Sequence, residues 1–178
     1  MTYEEFMALP DDGKRYELIE GELVLNPAAV PLHRQITLRI ASTLLNYFDE
    51  RRNGRVYTGP LDIVLSDATV LEPDVVVILN ERVALIGSKN VQGAPDIAIE
   101  VLSPGTRRRD EGAKRRLYEH HGVIEYWIVD PEAELVKIYR RSGTAFAPAV
   151  EIDTDAGGAI TSPLLPEFSL DVRQVFAE

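Results

Sequence analysis

Two apolar runs, each tipped by a carboxylate, constrain this chain more than anything else in it. Val75-Val76-Val77-Ile78-Leu79 and Ile97-Ala98-Ile99 contain no polar residue. Continuous β-branched and aliphatic runs of this kind read as strands buried on both faces rather than as alternating surface strands. Yet Asp74 opens the first run, after Glu72-Pro73, and Glu100 closes the second, ahead of Val101-Leu102. A lone ionised carboxylate in a core is costly, and two close together repel. A cation shared between them is the cheapest way to keep both ionised.

The length of 178 residues suits one domain, residues 1–178, with a proper core. There is no cysteine, which excludes disulfides and any cysteine-based metal site. No apolar stretch reaches transmembrane length and no signal-peptide pattern opens the chain, so a cytoplasmic protein without a membrane partner is expected. The formal charge of −10 speaks against a surface coated for non-specific nucleic-acid binding. It still permits a local basic face, because the cations cluster at Arg51-Arg52 with Arg55, at Arg107-Arg108-Arg109 and at Lys114-Arg115-Arg116.

In chain order, Thr2 to Glu5 has capping-box spacing and predicts a short helix to about Leu9. Arg15 to Ile19 and Glu22 to Leu25 flank Glu20-Gly21 as a hairpin. Ile36, Ile40, Leu44 and Phe48 repeat every four residues, which predicts a long amphipathic helix from about Leu32 to Arg52, stopped by Asn53-Gly54. Strands are expected at Val56-Tyr57, Leu61 to Leu65, Val70 to Leu79, Asp96 to Leu102, Glu125 to Val129 and Leu135 to Arg140, with a weaker one from Ala145 to Ile152. A helix should run from Asp110, as its cap, to His121, with Gly122 past its end. The tail reads as loop until a helical turn at Val172 to Phe176, capped by Asp171.

Asp110, Lys114 and Tyr118 are four apart and share a helix face. The turn after Glu100 is short, so that helix must fold back near the tip of its own strand, with Lys114 in reach of the two carboxylates. An acidic pair with a lysine beside a buried strand is what metal-dependent phosphodiester hydrolysis needs. The carboxylates hold Mg²⁺ (or Mn²⁺), and the lysine orients or helps deprotonate the attacking water.

Pro73-Asp74 followed by Glu100 resembles the PD-(D/E)XK nuclease superfamily. Tyr16 to Glu22, Glu72-Pro73-Asp74, Glu100 to Pro104 and Gly122 to Asp130, taken in that order, resemble its Uma-type branch of restriction endonucleases over nearly the whole chain. The resemblance implies an α/β (α+β) fold: a restriction-endonuclease-like core with a mixed central sheet of about four or five strands flanked by helices, here with an N-terminal hairpin. It implies Asp74 and Glu100 as metal ligands, with the backbone carbonyl of Val101 as a third. The superfamily's lysine falls two residues after the glutamate, where this chain has Leu102; the branch moves it onto the following helix, which fits Lys114. An acid from the N-terminal region completes such sites, with Glu17 the first choice and Glu22 the second. The implied partner is DNA, contacted by Arg107, Arg108, Arg109 and Arg115, and cutting both strands implies a homodimer.

Each residue also has a plainer role open to it. Glu100 could pair with an arginine from 107 to 109 as a structural bridge, Lys114 could be solvated, and Tyr118 could pack in the core with a wet hydroxyl. Asp96 repeats the Pro-Asp dipeptide, but four strand residues separate it from Glu100 by roughly 13 Å, so it is read as structural. His33, entering the long helix, could border the site, and Trp127 is read as core. Two rival functions follow: a non-catalytic nucleic-acid- or protein-binding homodimer on the same fold, and hydrolysis of another phosphate ester.

Overall fold

The computed structural model describes residues 1–177. Their order is α1 (Tyr3–Met7), β1 (Arg15–Ile19), β2 (Glu22–Asn26), α2 (Pro31–Arg51), β3 (Gly54–Thr58), β4 (Ile63–Ser66), β5 (Thr69–Leu71) and β6 (Val75–Leu79). A 3₁₀ segment, Asn80–Leu85, leads to β7 (Val91–Gln92) and β8 (Ile97–Val101). A continuous helical stretch follows, made of α3 (Arg107–Arg109), a π turn (Asp110–Lys114) and α4 (Arg115–His121). Then come β9 (Glu125–Asp130), β10 (Leu135–Ser142), β11 (Ala145–Phe146), β12 (Val150–Asp153), β13 (Ala159–Ser162), β14 (Leu165–Asp171) and α5 (Val172–Phe176).

The main sheet has the order β11-β10-β9-β8-β6-β3, with β12 also pairing β10. Within it only β8 and β9 run parallel. A parallel pair needs a crossover connection, and that connection is the stretch carrying α3, the π turn and α4. On one face α2 sets Ile36, Ile40, Leu44 and Phe48 against Val75, Val77, Ile97, Ile99 and Val101, and the chain's C-terminal segment closes this layer with Phe168, Leu170 and Val175. On the other face Leu117 and Tyr118 pack against Ala98, Tyr126 and Ile128. Burial on both faces is why the central strands read as unbroken apolar runs. A second sheet, ordered β2-β1-β5-β4-β7, contains the N-terminal hairpin.

The α1 capping box forms as its spacing predicts, with Thr2 and Glu5 each accepting from the other's backbone N–H. Five expectations need correction. The expected strand from Val70 to Leu79 is two strands in different sheets, because Pro73 has no N–H to give a ladder and the chain changes sheet across Glu72-Pro73-Asp74. The helix after β8 begins at Arg107, so Asp110 lies inside it rather than capping it. Arg52, not Gly54, takes the left-handed conformation that ends α2, at φ 56°. The expected strand from Ala145 to Ile152 divides into β11 and β12, and the tail forms the β13–β14 hairpin, whose alternation of buried and exposed residues is irregular.

Candidate functional site

The antiparallel register of β6 on β8 pairs Val75 with Ile99, so the next position outward sets Asp74 against Glu100. Both line one cleft together with Val101, His33, Asp110 and Lys114. The Val101 N–H donates to Asp74 Oδ2 at 2.8 Å, which holds the carboxylate where β6 begins. His33 Nε2 lies 3.1 Å from that oxygen.

Lys114 is 1% exposed, not solvated, and its Nζ sits 2.7 Å from Glu100 Oε1 and 2.7 Å from Glu17 Oε1. Asp110 Oδ1 is 3.6 Å away. Burial works against the ammonium, but the surrounding carboxylates of Glu100, Glu17 and Asp110 outweigh it and push the lysine pKa up. Lys114 is therefore a charged ammonium held between Glu17 and Glu100. Burial raises the Glu100 pKa well above the ordinary carboxylate range, opposed by Lys114 and reinforced by Asp110 and Asp74. Asp110 is pushed up as well, again mainly by burial.

The helix reaches this position through its π turn. A π turn is rare, inserts one residue into an α-helix and occurs often at functional sites. Here it turns both Asp110 and Lys114 inward. The Tyr118 hydroxyl is not wet; it donates to Glu100 Oε1 at 3.0 Å. Glu17 is fully buried on β1, where its Oε1 also accepts from the Glu72 N–H at 2.8 Å. Glu22, the second choice among the N-terminal acids, is exposed on β2 away from the cleft.

The hydrogen bonds and ion pairs of the Asp74 carboxylate all fall on Oδ2 and those of the Glu100 carboxylate on Oε1. One oxygen of each is thus left for a partner the protein does not supply. Among the described residues, no three His, Asp or Glu side chains surround a common ion position. Two carboxylates plus a backbone carbonyl still fit Mg²⁺, which keeps several waters and takes few protein ligands. Five carboxylates (Glu17, Glu72, Asp74, Glu100 and Asp110) face three cations, Arg15, Arg109 and Lys114, so the donor set favours an added positive charge.

The arginines differ from the sequence expectation. Arg107 does not pair with Glu100 and does not point free toward a nucleic acid: it binds Asp130 through two bonds of 2.6 and 2.8 Å and reaches Glu132 at 3.0 Å. Arg109 donates to Asn26 at 2.7 Å and lies 3.4 Å from Glu17. Arg115 lies over the Tyr139 ring, and Arg108 is exposed. Asp96 is structural, accepting from the Leu79 N–H and paired with Arg82, while Trp127 is fully buried. Sequence reasoning missed Arg15 and Asn26, which line the cleft. Their only signal was a place on the hairpin that carries Glu17.

The Arg107 side-chain bonds hold the Asp130 carboxyl below its ordinary value near 3.8. A depressed carboxyl pKa contributes stability above the unfolded value and loses it as pH falls through the folded one. Arg107→Ala should thus cost about 1–2 kcal/mol at pH 7, a range discounted because the guanidinium is a third exposed. Thermal melts at stepped pH check this, since the gap between wild type and variant must close below about pH 3.8.

Among the described residues, no helix is long and apolar enough to cross a membrane. The chain is 25% identical over 135 residues to an uncharacterized protein of Synechocystis sp., covering 72% of this chain and 67% of that one. A solved structure titled as a putative nuclease belonging to DUF820, from Anabaena variabilis, superposes with a TM-score of 0.84 at 23% identity, covering 99% of this chain and 98% of that chain. At that identity the likeness shows the shared fold. Residues 3–173 match the sequence profile of Uma2, described as "Putative restriction endonuclease", and the chain belongs to that family.

Proposed function

We propose that this protein is a metal-dependent endonuclease that hydrolyses phosphodiester bonds of DNA, acting as a homodimer when both strands are cut. The observation that supports this best is the buried Lys114 ammonium, held at 2.7 Å from both Glu17 and Glu100, in a cleft it shares with Asp74. A purely structural ion pair needs one carboxylate per cation. Here carboxylates are in excess, and two carboxylate oxygens have no protein partner.

Asp74 and Glu100, with the Val101 carbonyl, are the residues that would hold Mg²⁺ or Mn²⁺; such an ion supplies neutralisation of the charge that develops on the phosphate. Lys114 orients the attacking water and stabilises negative charge beside it, since its own proton is tightly held. Glu17 and Tyr118 fix Lys114 and Glu100 in place, and His33 braces Asp74. DNA as substrate follows from the family description, and Arg108 is the exposed member of its cluster. The rival non-catalytic reading expects Glu100 to pair with arginine, and its partner is Lys114 instead.

Nicking of supercoiled plasmid tests the proposal. Activity should appear with Mg²⁺ or Mn²⁺, vanish with a chelator, and fall at least about a hundredfold in Glu100→Gln. Equal cutting with and without the chelator would sink the metal role.

A further inference from the structure

The outer flank of α2 carries a stripe whose spacing is the same in both directions and whose two ends carry opposite charges. Arg34, Leu38, Leu45 and Asp49 succeed one another at steps of four, seven and four residues, which places them along one side of a helix. Leu38 is 67% exposed, the most of any large apolar side chain among the described residues, and Leu45 is 49% exposed. Single exposed leucines are ordinary. Two of them seven apart, bounded by opposite charges, on a helix whose other face already fills the core, call for a partner. Arg34 Nε reaches only the Ala29 carbonyl, at 3.4 Å. Asp49 is engaged through its backbone carbonyl, by Arg52, and its carboxylate has no cation of its own chain among the described residues.

The midpoint between Leu38 and Leu45 is also the midpoint between Arg34 and Asp49. A twofold axis through it sets Leu38 against Leu45 of a second copy and Arg34 against that copy's Asp49. The small, exposed Ser42 lies beside the crossing, where two helix backbones come closest. The same side of the molecule carries β3, the last strand of the main sheet, and Leu45 and Asp49 border the same hollow as Val56 and Tyr57 of that strand. An open strand edge is itself a surface that invites pairing.

We infer that α2 is the homodimer interface of this protein, formed antiparallel about Ala41 and Ser42 and locked by two Arg34–Asp49 pairs. This deepens the nuclease reading by naming the surface that joins two copies, but it rests on the helix and not on the cleft. Because Arg34 and Leu38 also border the opening beside Asp74, the two clefts come to lie along one ridge. His33 and its symmetry mate stand seventeen helix residues apart in that arrangement, roughly 26 Å at the α-helical rise. That is less than one turn of duplex DNA, about 34 Å.

Sedimentation velocity of the full chain across the micromolar range decides the matter. The wild type should be a dimer, and Leu38→Glu with Leu45→Glu should be a monomer with an unchanged far-ultraviolet spectrum. Arg34→Asp alone and Asp49→Arg alone should each weaken the dimer by about tenfold or more. The two exchanges combined should restore it, since the pair re-forms with reversed polarity. A monomeric wild type, a dimer indifferent to the leucine changes, or a double exchange no better than the singles would each overturn the interface. Plasmid nicking by the same samples is read separately: a dimer that does not cut leaves the interface standing and removes the nuclease, and a monomer that cuts does the reverse.

Discussion

Asp74→Asn should abolish plasmid cleavage, by about a thousandfold or more, while leaving the protein folded. Asparagine keeps the shape of the side chain and an oxygen that accepts from the Val101 N–H, the 2.8 Å bond that fixes Asp74 at the start of β6. It loses the charge. A thousandfold corresponds to roughly 4 kcal/mol of transition-state stabilisation, the scale expected when a charged group at the reacting centre is neutralised. Thermal melts in buffer without divalent ions should differ from wild type by only a few degrees. Mg²⁺ should raise the Tm of the wild type and not of the variant, because a ligand stabilises only the state that binds it. An Asp74→Asn protein that cuts within tenfold of wild type would remove Asp74 from the site.

Lys114→Met should have the largest effect on stability. The substitution removes a buried ammonium and leaves Glu17, Glu100 and Asp110 facing one another. Breaking a buried ion pair from one side costs about 3–5 kcal/mol, which for a chain of this size lowers Tm by roughly 6–20 °C. The loss should depend on pH. Burial already raises the Glu100 carboxyl above its ordinary value near 4.5, and without the ammonium it rises further. A carboxyl with a raised folded pKa contributes stability below the unfolded value and loses it as pH rises. The gap between wild type and Lys114→Met should therefore be smallest near pH 4.5 and widen toward pH 8. A gap that narrows with rising pH would mean that Lys114 is not what keeps these carboxylates ionised. Cleavage should fall by about a hundredfold or more even where the variant remains folded.

The parts of the fold that sequence made legible are those where local chemistry and the tertiary environment agree. The α2 repeat, the α1 capping box, the β1–β2 hairpin and the two buried strands each carry a period or a cap visible within a few residues. The failures lie where a long-range partner decides. Val70 to Leu79 reads as one strand because nothing local says that Leu71 and Val75 pair in different sheets. Asp110 has the residue type of a helix cap, yet its place inside a π turn depends on Lys114 being drawn toward Glu17 and Glu100. The β13–β14 hairpin is hard to read because the alternation of β14 breaks where Glu167 takes a positive φ of 65°. In the site, Asp74 and Glu100 were readable because a charge at the tip of an apolar run is conspicuous, and Lys114 because it lies four residues from both Asp110 and Tyr118 on the helix that follows. The internal partners of Arg107 and Arg109 were not, since a guanidinium and its carboxylate need share no pattern in the chain. Surface arginines and committed arginines look alike until Asp130 and Asn26 have positions.

Asp74 and Glu100 are held by the paired ends of β6 and β8, whereas the ammonium rides on a helix docked against the sheet through Leu117 and Tyr118. Acid geometry is thus rigid, and cation geometry is adjustable by side chains that touch no reacting atom. A change of packing volume beneath that helix would move Lys114 relative to Glu100 by fractions of an ångström. Such a shift would weaken the proposed chemistry without changing any acidic residue of the cleft.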